Sequence, residues 1–95
     1  MKKYFYREES GNGYMLRPNH DALYAHYTTG SFAILGARIM GLSFPQYLRM
    51  CRDIYGAELI GRNCLYPIVL FRDSKKLDTL ITELNRRADI LLKGR

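Results

Sequence analysis

A chain of 95 residues, 47% hydrophobic and 13% aromatic, carries enough apolar surface for one modest core, which excludes a wholly disordered polymer. Fifteen Lys and Arg against nine Asp and Glu leave a net charge of +6, favouring an anionic partner over a cationic one. No apolar run approaches the ~20 residues that span a bilayer, so no membrane-spanning helix is expected.

The expected fold class is α+β, in a single domain over residues 1–95: two hairpins and about four helices. Residues 3–8 alternate, with Tyr4 and Tyr6 on one side and Phe5 on the other. Asn12-Gly13 is a strong turn signal because both residues accept positive φ, and Tyr14–Arg17 reads as the return strand before Pro18. Asn19 can cap a short helix from His20 to about Tyr27, with Asp21 in its first turn. Ser31 can cap a second helix through Met40, with Phe32, Leu35 and Ile39 on one face.

Gly41-Leu42 supplies a tight turn. Ser43 then caps a third helix that tolerates Pro45 in its first turn, where a missing N–H costs nothing. Tyr47, Met50, Cys51 and Ile54 give this helix an apolar stripe, and Gly56 ends it. The period then changes. Residues 57–61 and 64–71 read as strands joined through Arg62-Asn63, and Pro67 implies an edge position or a bulge. Ser74 caps a last helix to about Lys93. Its Leu77, Ile81, Leu84, Ala88 and Leu91 repeat at heptad spacing, a stripe that can dock on its own core or on a copy of itself. Docking on its own core is expected first, and a homodimer through this C-terminal helix is the other arrangement.

The segment from Ala37 to Ser43 has what two closely packed helices and a tight corner require. Ala37 permits close approach, Gly41 makes the turn, Leu42 plugs the corner and Ser43 starts the next helix. With Leu48-Arg49, Gly56 and the hairpin from Leu59-Ile60-Gly61-Arg62, residues 29–72 resemble the winged helix-turn-helix of excisionase and MerR-like DNA-binding proteins. That resemblance implies a double-stranded DNA partner, with the second helix in the major groove and the hairpin acting as a wing. It places Ser43, Gln46 and Arg49 near bases or phosphates and Arg62 at the wing contact. Arg38 and Arg52 join them as phosphate neighbours on charge alone. Phe44-Pro45 departs from the pattern, standing where the family usually has small polar or basic residues.

Charge is spread along the chain, but half of the excess lies in residues 36–72, which hold five basic and two acidic side chains. Eight tyrosines suggest a second class of function. Tyr4, Tyr6 and Tyr14 on the first hairpin are candidates for an exposed aromatic contact with a protein partner, as in a phage-type inhibitor or adaptor. Single-stranded nucleic acid is a third expectation on the same residues. Tyr24, Tyr27, Tyr47 and Tyr55 read as core-rim residues with their hydroxyls outward.

Catalysis is not expected, since two histidines and few acids offer no triad, and Cys51 on an inward face reads as an inert buried thiol. His20 and His26, six apart, do not share a helix face, so neither a metal site nor a cofactor is expected. The N-terminus lacks the apolar core of a signal peptide and Cys51 and Cys64 are the only cysteines. The expected location is the cytoplasm, and the expected role is that of a regulator or recombination accessory protein of a mobile element.

Overall fold

The computed structural model describes residues 3–23, 34–63 and 66–93. In chain order these form β1 (Phe5–Ser10), β2 (Gly13–Pro18), α1 (His20–Leu23), α2 (Leu35–Met40), α3 (Phe44–Tyr55), β3 (Ala57–Asn63), β4 (Tyr66–Phe71) and α4 (Ser74–Lys93). The strands make one antiparallel sheet in the order β1-β2-β4-β3, so the fold is α+β with two hairpins as expected. No helix among the described residues is long and apolar enough to cross a membrane.

The first hairpin turns one residue earlier than Asn12-Gly13 suggests. Ser10 pairs with Gly13, leaving Gly11-Asn12 as the loop, and Gly11 takes the positive φ of 58°. Gly13 is held for another purpose. A Cβ there would lie 2.7 Å from the Phe71 carbonyl oxygen and 2.9 Å from Leu70 Cγ, so its missing side chain lets β2 meet β4. Among the described residues the two hairpins are paired at Tyr14 and Phe71 alone. β4 is therefore an inner strand by order, yet at Pro67 it has no partner on the β2 side, which accommodates a residue lacking an N–H.

Directly paired residues share a face, and that rule sorts the sheet. Phe5, Tyr14, Leu16, Val69, Phe71 and Ala57 lie on one face and join a single apolar cluster with the helices. Tyr6, Glu8, Met15 and Arg17 lie on the other, where Arg17 Nε donates to Glu8 at 3.0 Å. The heptad stripe of α4 is spent on this core. Leu77, Leu80, Ile81, Leu84, Ala88 and Leu92 are buried, whereas Leu91, expected in the stripe, is exposed beside Ile90. A dimer through α4 would have only those last two apolar side chains to offer.

Three local expectations are corrected. The cap of α4 is Asp73, whose Oδ1 accepts from the Lys75 and Lys76 N–H groups, and not Ser74. Ile54, expected on the inward stripe of α3, is 61% exposed; Tyr47 and Cys51 are buried and Met50 is half-buried. Tyr4 is not on the surface at all. It is 3% exposed, because α4 grips the start of β1 through buried Asn85. Asn85 Oδ1 accepts from the Tyr4 and Phe5 N–H groups, both at 2.8 Å, and its Nδ2 donates to the Phe5 carbonyl at 3.2 Å. Asn19 completes the joint: its N–H donates to the Tyr4 carbonyl and its side chain accepts from the Ala22 N–H, starting α1. The expected start of α2 at Ser31 and Phe32, the end of α1 at Tyr27, Tyr24 and Cys64 lie outside the described residues.

Candidate nucleic-acid interface

α2 and α3 are joined by the turn their residues require. Gly41 is left-handed at φ 71°, and its N–H and that of Leu42 close the end of α2 on the Arg38 and Ala37 carbonyls. Leu42 is half-buried against the core. Ser43 starts α3 with a reciprocal cap. Its Oγ accepts from the Gln46 N–H at 3.3 Å, while Gln46 Oε1 accepts from the Ser43 N–H at 3.0 Å. Both side chains were expected near bases or phosphates. They remain exposed, but one acceptor of each is committed to starting the helix.

The Tyr47 side chain from α3 lies against Gly36 of α2, next to the expected Ala37, where a Cβ would clash with the Tyr47 hydroxyl. Tyr47 thus wedges its ring between the helices with the hydroxyl buried, not outward, and without a hydrogen bond among the described residues. Burial pushes this phenol well above its usual range. Burial likewise pushes the Cys51 thiol up to about 11, so the thiol is protonated at neutral pH.

With Tyr47 and Cys51 inward, α3 turns Pro45, Gln46, Arg49, Arg52 and Asp53 to solvent. Arg52 does not stand alone. Its Nε and Nη2 donate to the two Asp53 carboxylate oxygens at 2.7 and 3.3 Å, and this bond holds Asp53 below the usual carboxylate range. Arg49 makes no ion pair among the described residues, though its field also favours the ionised Asp53. Arg38 is exposed on the last turn of α2.

The second hairpin carries a feature that residue spacing did not reveal. Leu59 pairs with Val69 but Gly61 pairs with Ile68, so Ile60 is an extra, unpaired residue in a bulge. A bulge reverses the facing of every later residue in its strand. Arg62 therefore pairs with Pro67 and shares the face of Val69 and Ala57, the face on which α3 packs; without the bulge it would face the other way with Glu58. Arg62 is also not at the hairpin tip, since the strands continue to the Asn63–Tyr66 pair. It is exposed and has neither an ion pair nor a hydrogen bond among the described residues.

Between α3 and β3 lies a crease of about 570 Å³. Leu48, Ala57 and Val69 contribute its apolar lining, Arg49 and Arg52 stand on the α3 side, and Glu58, Leu59 and Ile60 on the strand side. Elsewhere, several arginines have carboxylate partners. Arg7 pairs with Asp78, Arg72 with Glu58, and Arg86 and Arg87 both with Glu83.

The first hairpin does not assemble the expected aromatic surface. Tyr4 is in the core, and Tyr6 and Tyr14 fall on opposite faces of the sheet. The Arg7 guanidinium lies 5.0 Å from the Tyr14 ring centre and the Lys3 ammonium 6.0 Å from that of Tyr6. Set against known protein families, curated protein sequences and solved structures, the chain finds no match in any of the three.

Proposed function

We propose that this chain binds duplex DNA, with the exposed face of α3 in the major groove and the β3–β4 hairpin against the adjoining backbone. One observation carries the reading. The bulge at Ile60 turns Arg62 to the side of the sheet occupied by α3, so Arg49 and Arg62, two arginines without ion pairs among the described residues, stand on one side of the molecule. Gln46 and Arg49 are the side chains on α3 able to reach base edges, through the Gln46 amide N–H groups and the Arg49 guanidinium. Arg52 contributes after exchanging Asp53 for a phosphate, and Arg38 lies near enough in sequence to the turn to flank the same backbone. The role in keeping with such an interface is that of a small cytoplasmic regulator or recombination accessory protein of a mobile element.

Fluorescence anisotropy of a labelled duplex at about 50 mM salt tests this. Affinity falls steeply with salt, and Arg49→Ala and Arg62→Ala each lower the slope of log K against log salt by about one. Absence of any complex with duplex at that salt overturns the reading.

A further inference from the structure

Leu59 and Ile60 are 67% and 54% exposed on an edge strand of the sheet, consecutive in sequence and three and two residues before Arg62. An edge strand normally blunts its apolar side chains with Lys, Pro or inward charge, because exposed apolar edges invite pairing with other chains. β3 instead carries its two large apolar residues in the open, and the bulge leaves Ile60 without a cross-strand neighbour to cover it. Leu59 and Ile60 border the crease whose other side holds Arg49 and Arg52.

An apolar strand edge flanked by arginines suits a partner with an anionic rim and an apolar interior. A DNA groove has both: phosphates along each edge, and stacked bases between which an aliphatic side chain can insert. We infer that Ile60 is a wedge that enters a base step beside the hairpin and kinks the duplex, with Leu59 supporting it and Arg62 on the neighbouring phosphate. This rests on the duplex-binding reading and adds a mechanical consequence to it. Inserted aliphatic wedges unstack one step and bend the duplex by roughly 20–90°. Steps of TA and CA/TG unstack most readily, so they are favoured over a stiff A-tract at positions where no base edge is read.

The experiment uses the full chain and two end-labelled duplexes of about two helical turns, one with central TA and CA steps and one with an A-tract. Energy transfer between the ends reports the bend, and anisotropy of the same samples reports binding. The wild-type chain raises transfer on the flexible duplex more than on the A-tract. Ile60→Ser still forms the complex but loses that rise, while Ile60→Met keeps it. Ile60 is exposed, so both variants fold, as circular dichroism checks. A complex that leaves the flexible duplex straight, or an Ile60→Ser complex bent as strongly as wild type, overturns the wedge and leaves duplex binding intact. Absence of any complex overturns both readings. A particle of twice the chain mass in sedimentation equilibrium, reduced to one chain by Ile60→Ser, assigns these side chains to a second copy and also overturns the wedge.

Discussion

Asn85 is the side chain whose loss is expected to cost this fold most for its size. It sits on α4, 8% exposed, and serves three backbone groups at the start of β1: the N–H of Tyr4, the N–H of Phe5 and the carbonyl of Phe5. Phe5 is paired with Pro18 at the end of the β1–β2 ladder, so its N–H and carbonyl point away from β2 and need a partner on the far side. Asn85→Leu keeps the volume and strands all three. Each of the three buried backbone groups left without a partner costs about 1–3 kcal/mol, while the new apolar side chain returns about 1 kcal/mol, for a net loss of about 2–8 kcal/mol. A domain of this size has about 5–14 kcal/mol in all, so the change removes a large fraction. Urea unfolding followed by circular dichroism measures it, and with a slope of about 1 kcal/mol/M the midpoint drops by at least about 2 M. Asn85→Asp keeps the acceptor for both N–H groups and loses less. A midpoint change under about 0.5 M for Asn85→Leu, at unchanged slope, refutes the argument that this joint holds β1 to α4.

Four further outcomes follow from the same geometry. Gly36→Ala forces the Tyr47 ring from between α2 and α3 and costs about 1–3 kcal/mol, whereas Tyr47→Phe, which deletes a buried hydroxyl lacking a partner, leaves stability unchanged or higher; urea midpoints of the two variants and their double mutant decide this. In a Cys64→Ser chain, Cys51 resists a disulfide reagent at pH 8 and reacts only once urea unfolds the protein; rapid labelling of the native chain contradicts the protonated, buried thiol. Hydrogen bonds from Arg86 and Arg87 lower the Glu83 carboxyl to about 2, so the stability it lends is complete above the ordinary glutamate value of 4.5 and is lost as pH falls toward 2; an NMR titration of Glu83 with its midpoint in the ordinary range opposes this. If the duplex-binding reading holds, Asp53→Asn frees Arg52, raises affinity and steepens the salt dependence by up to one unit, as anisotropy would show; unchanged binding separates Arg52 from the interface.

What could be read from the residues in order is what neighbouring residues decide among themselves. The hairpins, the αL turn at Gly41, the cap by Ser43, the inward stripe of Tyr47 and Cys51, and the burial of Leu77, Ile81, Leu84 and Ala88 are all local consequences of backbone freedom, capping and periodicity. The candidate interface was legible to the same depth: Arg49 and Arg62 were marked by charge and position, but not where the strand would aim Arg62. Only the tertiary structure decided that, because facing depends on register, and one unpaired residue at Ile60 reverses it. Tertiary pairing also moved the first turn onto Gly11-Asn12, since Gly13 was needed where two hairpins meet. It took Tyr4 into the core through Asn85, a residue about eighty positions away. And it set Asp53 on Arg52 and Glu83 on two arginines, so that among the described residues Arg49 and Arg62 are arginines without an ion pair, as Lys75, Lys76 and Lys93 are lysines without one.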